Sequence, residues 1–276
     1  WRAGAFQWDL WLATVLGLMF AHATNNLLND YTDSRRGIDR DNYYRNQYGV
    51  HVLEDGLMNE RQFWRYLGVT AGIALLLGAW LISQRSGLTV NLMLAGAFFV
   101  LFYTWPLKYY GLGEPAVLLV WGPLMVGGSY YVLAGQWSWD VTWLSLVFAL
   151  GPTTVLFGKH TDKLEADRAK GVNTLPVMLG ERLSRHCVLG MIAAQYLLSA
   201  FLVLSGAFSW ALLLVIISLR SWPRLRAVFG EPKPTNRPSG YPEEVWPLWF
   251  SAHAFRHTRQ FTTLFLIGVV LDTLLH

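Results

Sequence analysis

The sequence predicts an all-α fold, a polytopic bundle of transmembrane helices, and three observations predict it. Of 276 residues, 53% are hydrophobic and only 14% charged, against about 25% charged in an ordinary globular chain. Apolar runs recur that approach the roughly 20 residues needed to cross about 30 Å of hydrocarbon. The basic residues fall almost entirely in alternate loops between those runs. Disorder and collagen-like repeats are excluded by the aliphatic content, and an intrachain disulfide is excluded because Cys187 is the only cysteine. The net charge of +4 forms no basic stripe of the kind nucleic acid requires.

Eight runs stand between charged or Pro/Gly-rich breaks, at 8–29, 63–83, 88–104, 115–134, 141–158, 186–205, 208–222 and 260–275. The residues before the first run do not read as a signal peptide. Threading the chain through eight spans leaves all of the 22 basic residues except Arg2 and Arg85 on one side. Cytoplasmic loops carry the excess of Lys and Arg, so that side is read as the cytoplasm. On the other side, Trp137 and Trp139 in a short loop read as interfacial anchors. The stretch 231–247, rich in Pro and polar residues, reads as a cytoplasmic loop, followed by an interfacial helix over 249–259. No second soluble domain is visible, and the whole of 1–276 reads as one membrane domain.

The first run ends in polar residues arranged by angle. At about 100° per residue, His22, Asn26, Asn29 and Asp33 fall within roughly 60° of one another. Polar groups at membrane depth are costly and usually face a bundle interior or wet cavity, although interhelical hydrogen bonding accounts for single Asn residues. Beyond them, the loop from Asp33 mixes Asp39 and Asp41 with Arg35, Arg36 and Arg40. Carboxylates suit Mg²⁺, which binds through a few carboxylates plus phosphate oxygens. Arginines such as Arg36 suit the phosphates. A second acidic cluster, Asp162, Glu165 and Asp167 with Lys159, Lys163, Arg168 and Lys170, follows the fifth run on the same side. Two such clusters at one aqueous mouth make a metal–diphosphate site chemically sensible. His160 has no second His or Cys at ligand spacing and reads as a hydrogen-bonding residue. His51, His186, His253, His257 and His276 show no metal spacing either.

These residues resemble the UbiA superfamily of intramembrane prenyltransferases. Its Asn-Asp-x-x-Asp motif is matched by Asn29, Asp30 and Asp33, and its second motif by Asp167, Arg168, Gly171, Thr174 and Leu175. The runs 29–39, 103–114 and 176–180 look most like the 1,4-dihydroxy-2-naphthoate prenyltransferase branch. The resemblance implies Mg²⁺-dependent transfer of a prenyl group from an allylic polyprenyl diphosphate to an aromatic acceptor, in lipid-quinone (menaquinone-like) biosynthesis. It implies metal or diphosphate roles for Asn29, Asp33 and Asp167, with Asp30 and Asp162 as further metal ligands. It places Lys108 and Arg168 on phosphate oxygens and Tyr103 near the acceptor or reacting carbon, in a bundle built around a central cavity. Asn26, from the polar face of the first run, and Arg36, from the arginine-rich loop, join the substrate site. The implied partners are the diphosphate, a small aromatic acceptor and membrane lipid. The alternative is a non-catalytic subunit of this fold, a scaffold or lipid- or quinone-binding element in a larger membrane complex.

Two departures stand out. The family has nine helices, one of them before the first aspartate motif, so the eight runs here read as a domain lacking its first helix. The family's second motif has aspartates four apart, whereas Asp162 and Asp167 are five apart with Lys163 in the expected place. Five residues rotate a regular helix by about 140°. Either a π-type turn restores the facing, or Asp162 lies in a loop, or Lys163 has replaced a ligand.

Overall fold

A computed structural model describes residues 4–37, 52–53 and 55–275. Asp39, Asp41, Arg40, Arg45 and His51 of the first loop, with Arg2 and His276, lie outside the described residues. Among the described residues no strand forms and the chain is helical in each predicted run. The helices are α1 (Trp8–Arg35), α2 (Glu60–Gln84), α3 (Leu88–Phe102), α4 (Gly113–Leu119), α5 (Gly128–Ala134), α6 (Trp139–Asp162), α7 (Leu164–Ala169), α8 (Leu175–Leu179), α9 (Glu181–Leu204), α10 (Trp222–Gly230) and α11 (Phe250–Leu275).

Among the described residues, five helical segments are long and apolar enough to cross a membrane: α2, the segment 113–134, α6, α9 and α11. α3 is a shorter apolar helix. The protein is an integral, multi-pass membrane protein. Local sequence sets several helix starts. Asn59 and Gln62 form a reciprocal capping box on α2, with Gln62 N donating to Asn59 Oδ1 at 2.9 Å and Asn59 N to Gln62 Oε1 at 3.0 Å. Ser138 Oγ accepts from Val141 N at the head of α6. Between α4 and α5 the chain is a π-helix, Val120–Gly127, with a kink at Gly122 followed by Pro123, which lacks the N–H that a regular turn needs.

α6 is the central helix, packed on α9, α11, α4 and the π segment. Gly158 lets α11 approach, because a Cβ there would lie 2.8 Å from Ser251 N. Close backbone approach at small residues is how membrane helices gain packing without a hydrophobic driving force between them. Two apolar clusters flank this axis. Phe157, Val188, Ile192, Phe229 and Phe250 form one; Val147, Leu212, Val215, Phe261 and Phe265 form the other.

Two expectations change. The interfacial helix over 249–259 and the span over 260–275 are one helix, α11. His253 and His257 are buried while Arg256 and Arg259 are exposed, so the charged residues that suggested a break occupy one face of a continuous helix. The run 208–222 contains a 3₁₀ helix, Trp210–Ser221. At about 2.0 Å rise per residue, this short run reaches further than an α-helix of the same length.

Candidate active site

The first aspartate motif lies at the end of α1, where Asp30 and Asp33 are both buried. The loop after α3 folds back over it. Lys108, in a single 3₁₀ turn (Leu107–Tyr109), donates to Asp33 Oδ2 at 2.8 Å, with both side chains under 10% exposed. Thr104 Oγ1 donates to Asn29 Oδ1 at 3.1 Å. Arg36 reaches the same loop, its guanidinium 5.1 Å above the Trp105 ring and 4.7 Å above Tyr109. Burial works against the charge on Lys108, but the Asp33 carboxylate outweighs it and holds the ammonium above its ordinary pKa.

The predicted polar face of α1 divides along its length. Asn29 is half-buried and Asp33 buried, while Asn26 and His22 are exposed. His22 meets Trp121 of the π segment edge-on, with ring centroids 5.7 Å apart.

The second motif is built differently from its expected form. α6 remains α-helical to Asp162, and the helix breaks at Lys163 (φ −113°, ψ 21°) before α7 begins. No π-turn restores the spacing, and Asp162 is not in a loop. Lys163 Nζ instead pairs with Asp167 Oδ1 at 2.9 Å, both side chains under 10% exposed. Asp162 faces the head of α11. Its carboxylate accepts from Phe250 N and Ser251 N at 2.9 Å and from Ser251 Oγ at 2.7 Å, with Lys233 Nζ 3.7 Å away. A carboxylate at a helix N-terminus satisfies N–H groups that have no partner inside the helix. Burial lowers the Lys233 pKa, and Asp162 partly restores it.

The two motifs share one electrostatic neighbourhood. Lys159 feels the charges of Asp33, Lys108, Lys163 and Asp167, and Tyr103 those of Lys108, Glu114 and Asp33. Beneath them, buried Glu114 holds His160 at 2.5 Å and faces the Leu175 N–H at 3.4 Å. That joins α4, α6 and the stretch after the second motif, and gives His160 the hydrogen-bonding place its sequence context suggested.

Of the predicted residues, Asn29, Asp30, Asp33, Tyr103, Lys108, Arg36 and Asp167 come to this end of the bundle. Arg168 is exposed and pairs with Glu165 at 2.7 Å. Asp162 is committed to α11. Among the described residues no three His, Cys, Asp or Glu side chains stand together as metal ligands, so the expected set of Asp30, Asp33, Asp162 and Asp167 is not assembled. What remains is Asp33 Oδ1 and Asp167 Oδ2, each buried without a hydrogen-bond partner among the described residues. Two such oxygens suit a hard divalent cation whose other ligands come from phosphate. Sequence reasoning gave no role to Thr104 or Glu114 and named Lys159 only as a member of the second cluster. The i,i+4 spacing of Lys159, Lys163 and Asp167 was the available signal, since residues four apart share a helix face.

Apolar spans meeting at a buried aspartate–lysine site define a membrane protein able to handle an anionic ligand at one end of its bundle. The chain matches the UbiA prenyltransferase family over residues 1–238 and belongs to it. It is 30% identical over 221 residues to the 2-carboxy-1,4-naphthoquinone phytyltransferase of Synechocystis sp., covering 78% of this chain and 69% of that protein. It is 23% identical over 259 residues to the 1,4-dihydroxy-2-naphthoate octaprenyltransferase of Bacillus subtilis, covering 93% and 78%. Among solved structures it resembles the apo form of a UbiA homolog from Aeropyrum pernix K1, with TM-score 0.68 and 16% identity over 98% of this chain and 92% of that one. It also resembles a UbiA homolog from Archaeoglobus fulgidus bound to DMAPP and Mg²⁺, with TM-score 0.60 and 13% identity over 96% and 92%. At these identities the structural likeness shows the fold.

Proposed function

We propose that this chain transfers a prenyl group from an allylic polyprenyl diphosphate to an aromatic acceptor of the naphthoate or naphthoquinone class, with Mg²⁺, in the making of a lipid quinone. The observation that carries this reading is the pair of buried carboxylates, Asp33 and Asp167, each bound to one lysine and each with an oxygen left over. The relatives named for naphthoquinone and naphthoate prenylation support the acceptor class. The neighbour bound to DMAPP and Mg²⁺ supports the donor and metal. The alternating loop charge supports a cytoplasmic position for this end of the bundle.

Asp33 and Asp167 would hold the metal, with Asn29 beside them. Mg²⁺ supplies neutralisation of the charge that grows on the leaving diphosphate. Lys108 lies against Asp33 and, with Lys163 and Lys159, offers ammonium donors to phosphate oxygens, while Arg36 guards the mouth. Fixed positive groups aimed at developing negative charge lower the barrier without reorganising. The lysines keep the aspartates neutralised until substrate arrives, so the site stays assembled without its ligands. Tyr103, behind Lys108, lies where the reacting carbon and acceptor meet. The apolar spans around the site receive the prenyl tail and keep water from the allylic cation.

The test is an assay in lipid with Mg²⁺, allylic diphosphates of several lengths and a panel of aromatic acids and phenols, with products read by mass. A prenylated naphthoate that disappears on chelation and in Asp33→Asn is the expected result. Binding of a prenyl diphosphate with no product from any acceptor overturns the enzymatic reading in favour of a non-catalytic lipid- or quinone-binding subunit.

A further inference from the structure

A cavity of about 570 Å³ opens between the 3₁₀ helix, α10 and α11. Arg220, Arg224, Arg256 and Arg259 line it, and among the described residues no carboxylate does. All four arginines are exposed, and among the described residues none has an ion-pair partner. Its floor is His257, which is 1% exposed and 3.0 Å from Ser221 Oγ through Nδ1. Ser221 Oγ donates to Ser218 O at 2.8 Å, so the imidazole N–H donates to Ser221 and Nε2, which has no partner, leaves an unmet polar atom in the floor.

The height of the arginines is set by the chain. Arg220 closes the apolar run of the 3₁₀ helix, and Arg259 immediately precedes the apolar stretch 260–275 of α11. Both segments therefore change from hydrocarbon-compatible to cationic at this cavity, the level at which lipid phosphates lie. Below it, Ile217 and Leu264 continue the lining, while Ile216, Phe255 and Ile267 are exposed and turn apolar surface outward. Unneutralised guanidinium groups gather an anion through charge-assisted hydrogen bonds, and basic pockets between membrane helices suit anionic headgroups.

We propose that this cavity is a binding site for one anionic phospholipid, its phosphate held by the four arginines and an acyl chain lying along Ile217 and Leu264. The site is separate from the aspartate–lysine cluster and does not depend on the proposed reaction. Free phosphate shares the headgroup chemistry, but the apolar continuation of the cavity favours the lipid.

Native mass spectrometry of the full chain in detergent tests this, with dioleoylphosphatidylglycerol, dioleoylphosphatidylcholine and inorganic phosphate as probes. Wild type is expected to keep one phosphatidylglycerol at least about tenfold more tightly than phosphatidylcholine, a difference of about 1.4 kcal/mol. Arg224→Gln/Arg256→Gln is expected to lose that preference, and Arg182→Gln, an exposed charge elsewhere, to keep it. Because the substituted side chains are exposed, the double variant is expected to melt within a few degrees of wild type. Should it not fold, Arg256→Gln alone is expected to show a smaller loss of the same preference. Equal retention of the two lipids, an unchanged preference in the arginine variants, an equal loss in Arg182→Gln, or displacement of the lipid by millimolar phosphate would each overturn the proposal.

Discussion

The two aspartate motifs look alike in the sequence and do different work in the fold. In the first, Asn29, Asp30 and Asp33 are gathered at the end of α1 under a loop that supplies Thr104 and Lys108. In the second, the carboxylates part company. Asp167 turns to Lys163 and stays at the site, whereas Asp162 ties α6 to the first residues of α11. The break at Lys163 separates them, since Asp162 is the last residue of α6 and Asp167 belongs to α7. A carboxylate rotated away from a ligand site is a buried charge that needs other partners, and the N–H groups at the head of α11 provide them.

This difference orders the expected effects of substitution. Asp33→Asn removes the carboxylate that the first motif holds in place and should lower turnover by about 10² to 10³-fold, the scale of losing one preorganised electrostatic group. Initial rates at saturating Mg²⁺ check it, and an active variant would move the metal role elsewhere. Asp167→Asn should cost less, roughly tenfold to a hundredfold, with an increased Mg²⁺ requirement. If instead its Mg²⁺ titration matches wild type, Asp167 serves only as the counterion of Lys163. Lys163→Ala releases Asp167 and is expected to tighten Mn²⁺ binding measured by electron paramagnetic resonance while weakening diphosphate binding. A parallel loss of both would make Lys163 a structural residue alone. Arg168→Gln should be nearly silent, because exposed ion pairs such as Arg168–Glu165 contribute about 0 to 1 kcal/mol. A large rise in the KM for the diphosphate would return Arg168 to the phosphate contacts that the resemblance implied.

Much of this was legible because the bilayer restricts what a chain can do. Only helices satisfy their own backbone in hydrocarbon, so apolar runs and alternating Arg and Lys gave the order of elements, and the polar angle of α1 gave its functional end. The loops predicted to share one side do meet, as the Arg36–Trp105, Lys108–Asp33 and Asp162–Ser251 contacts show. What escaped was set by partners distant in sequence. Nothing near Asp162 announces that its donors are Phe250 and Ser251, 88 and 89 positions on. Thr104 meets Asn29 across 75 positions. The continuity of α11 was hidden by Arg256 and Arg259, which read as an interfacial face although His253 and His257 on the other side are buried.

The division of labour between the motifs is tested most directly by measuring melting temperature and turnover together on Asp162→Asn and Asp33→Asn in the same lipid. Asp162→Asn is expected to lose about 1–2 kcal/mol of stability, the scale of a helix cap, while each folded molecule keeps its turnover to within about twofold. Asp33→Asn is expected to keep its fold and lose turnover. An Asp162→Asn protein that melts like wild type and makes no product would contradict this account, because it would put Asp162 back among the residues that perform the reaction.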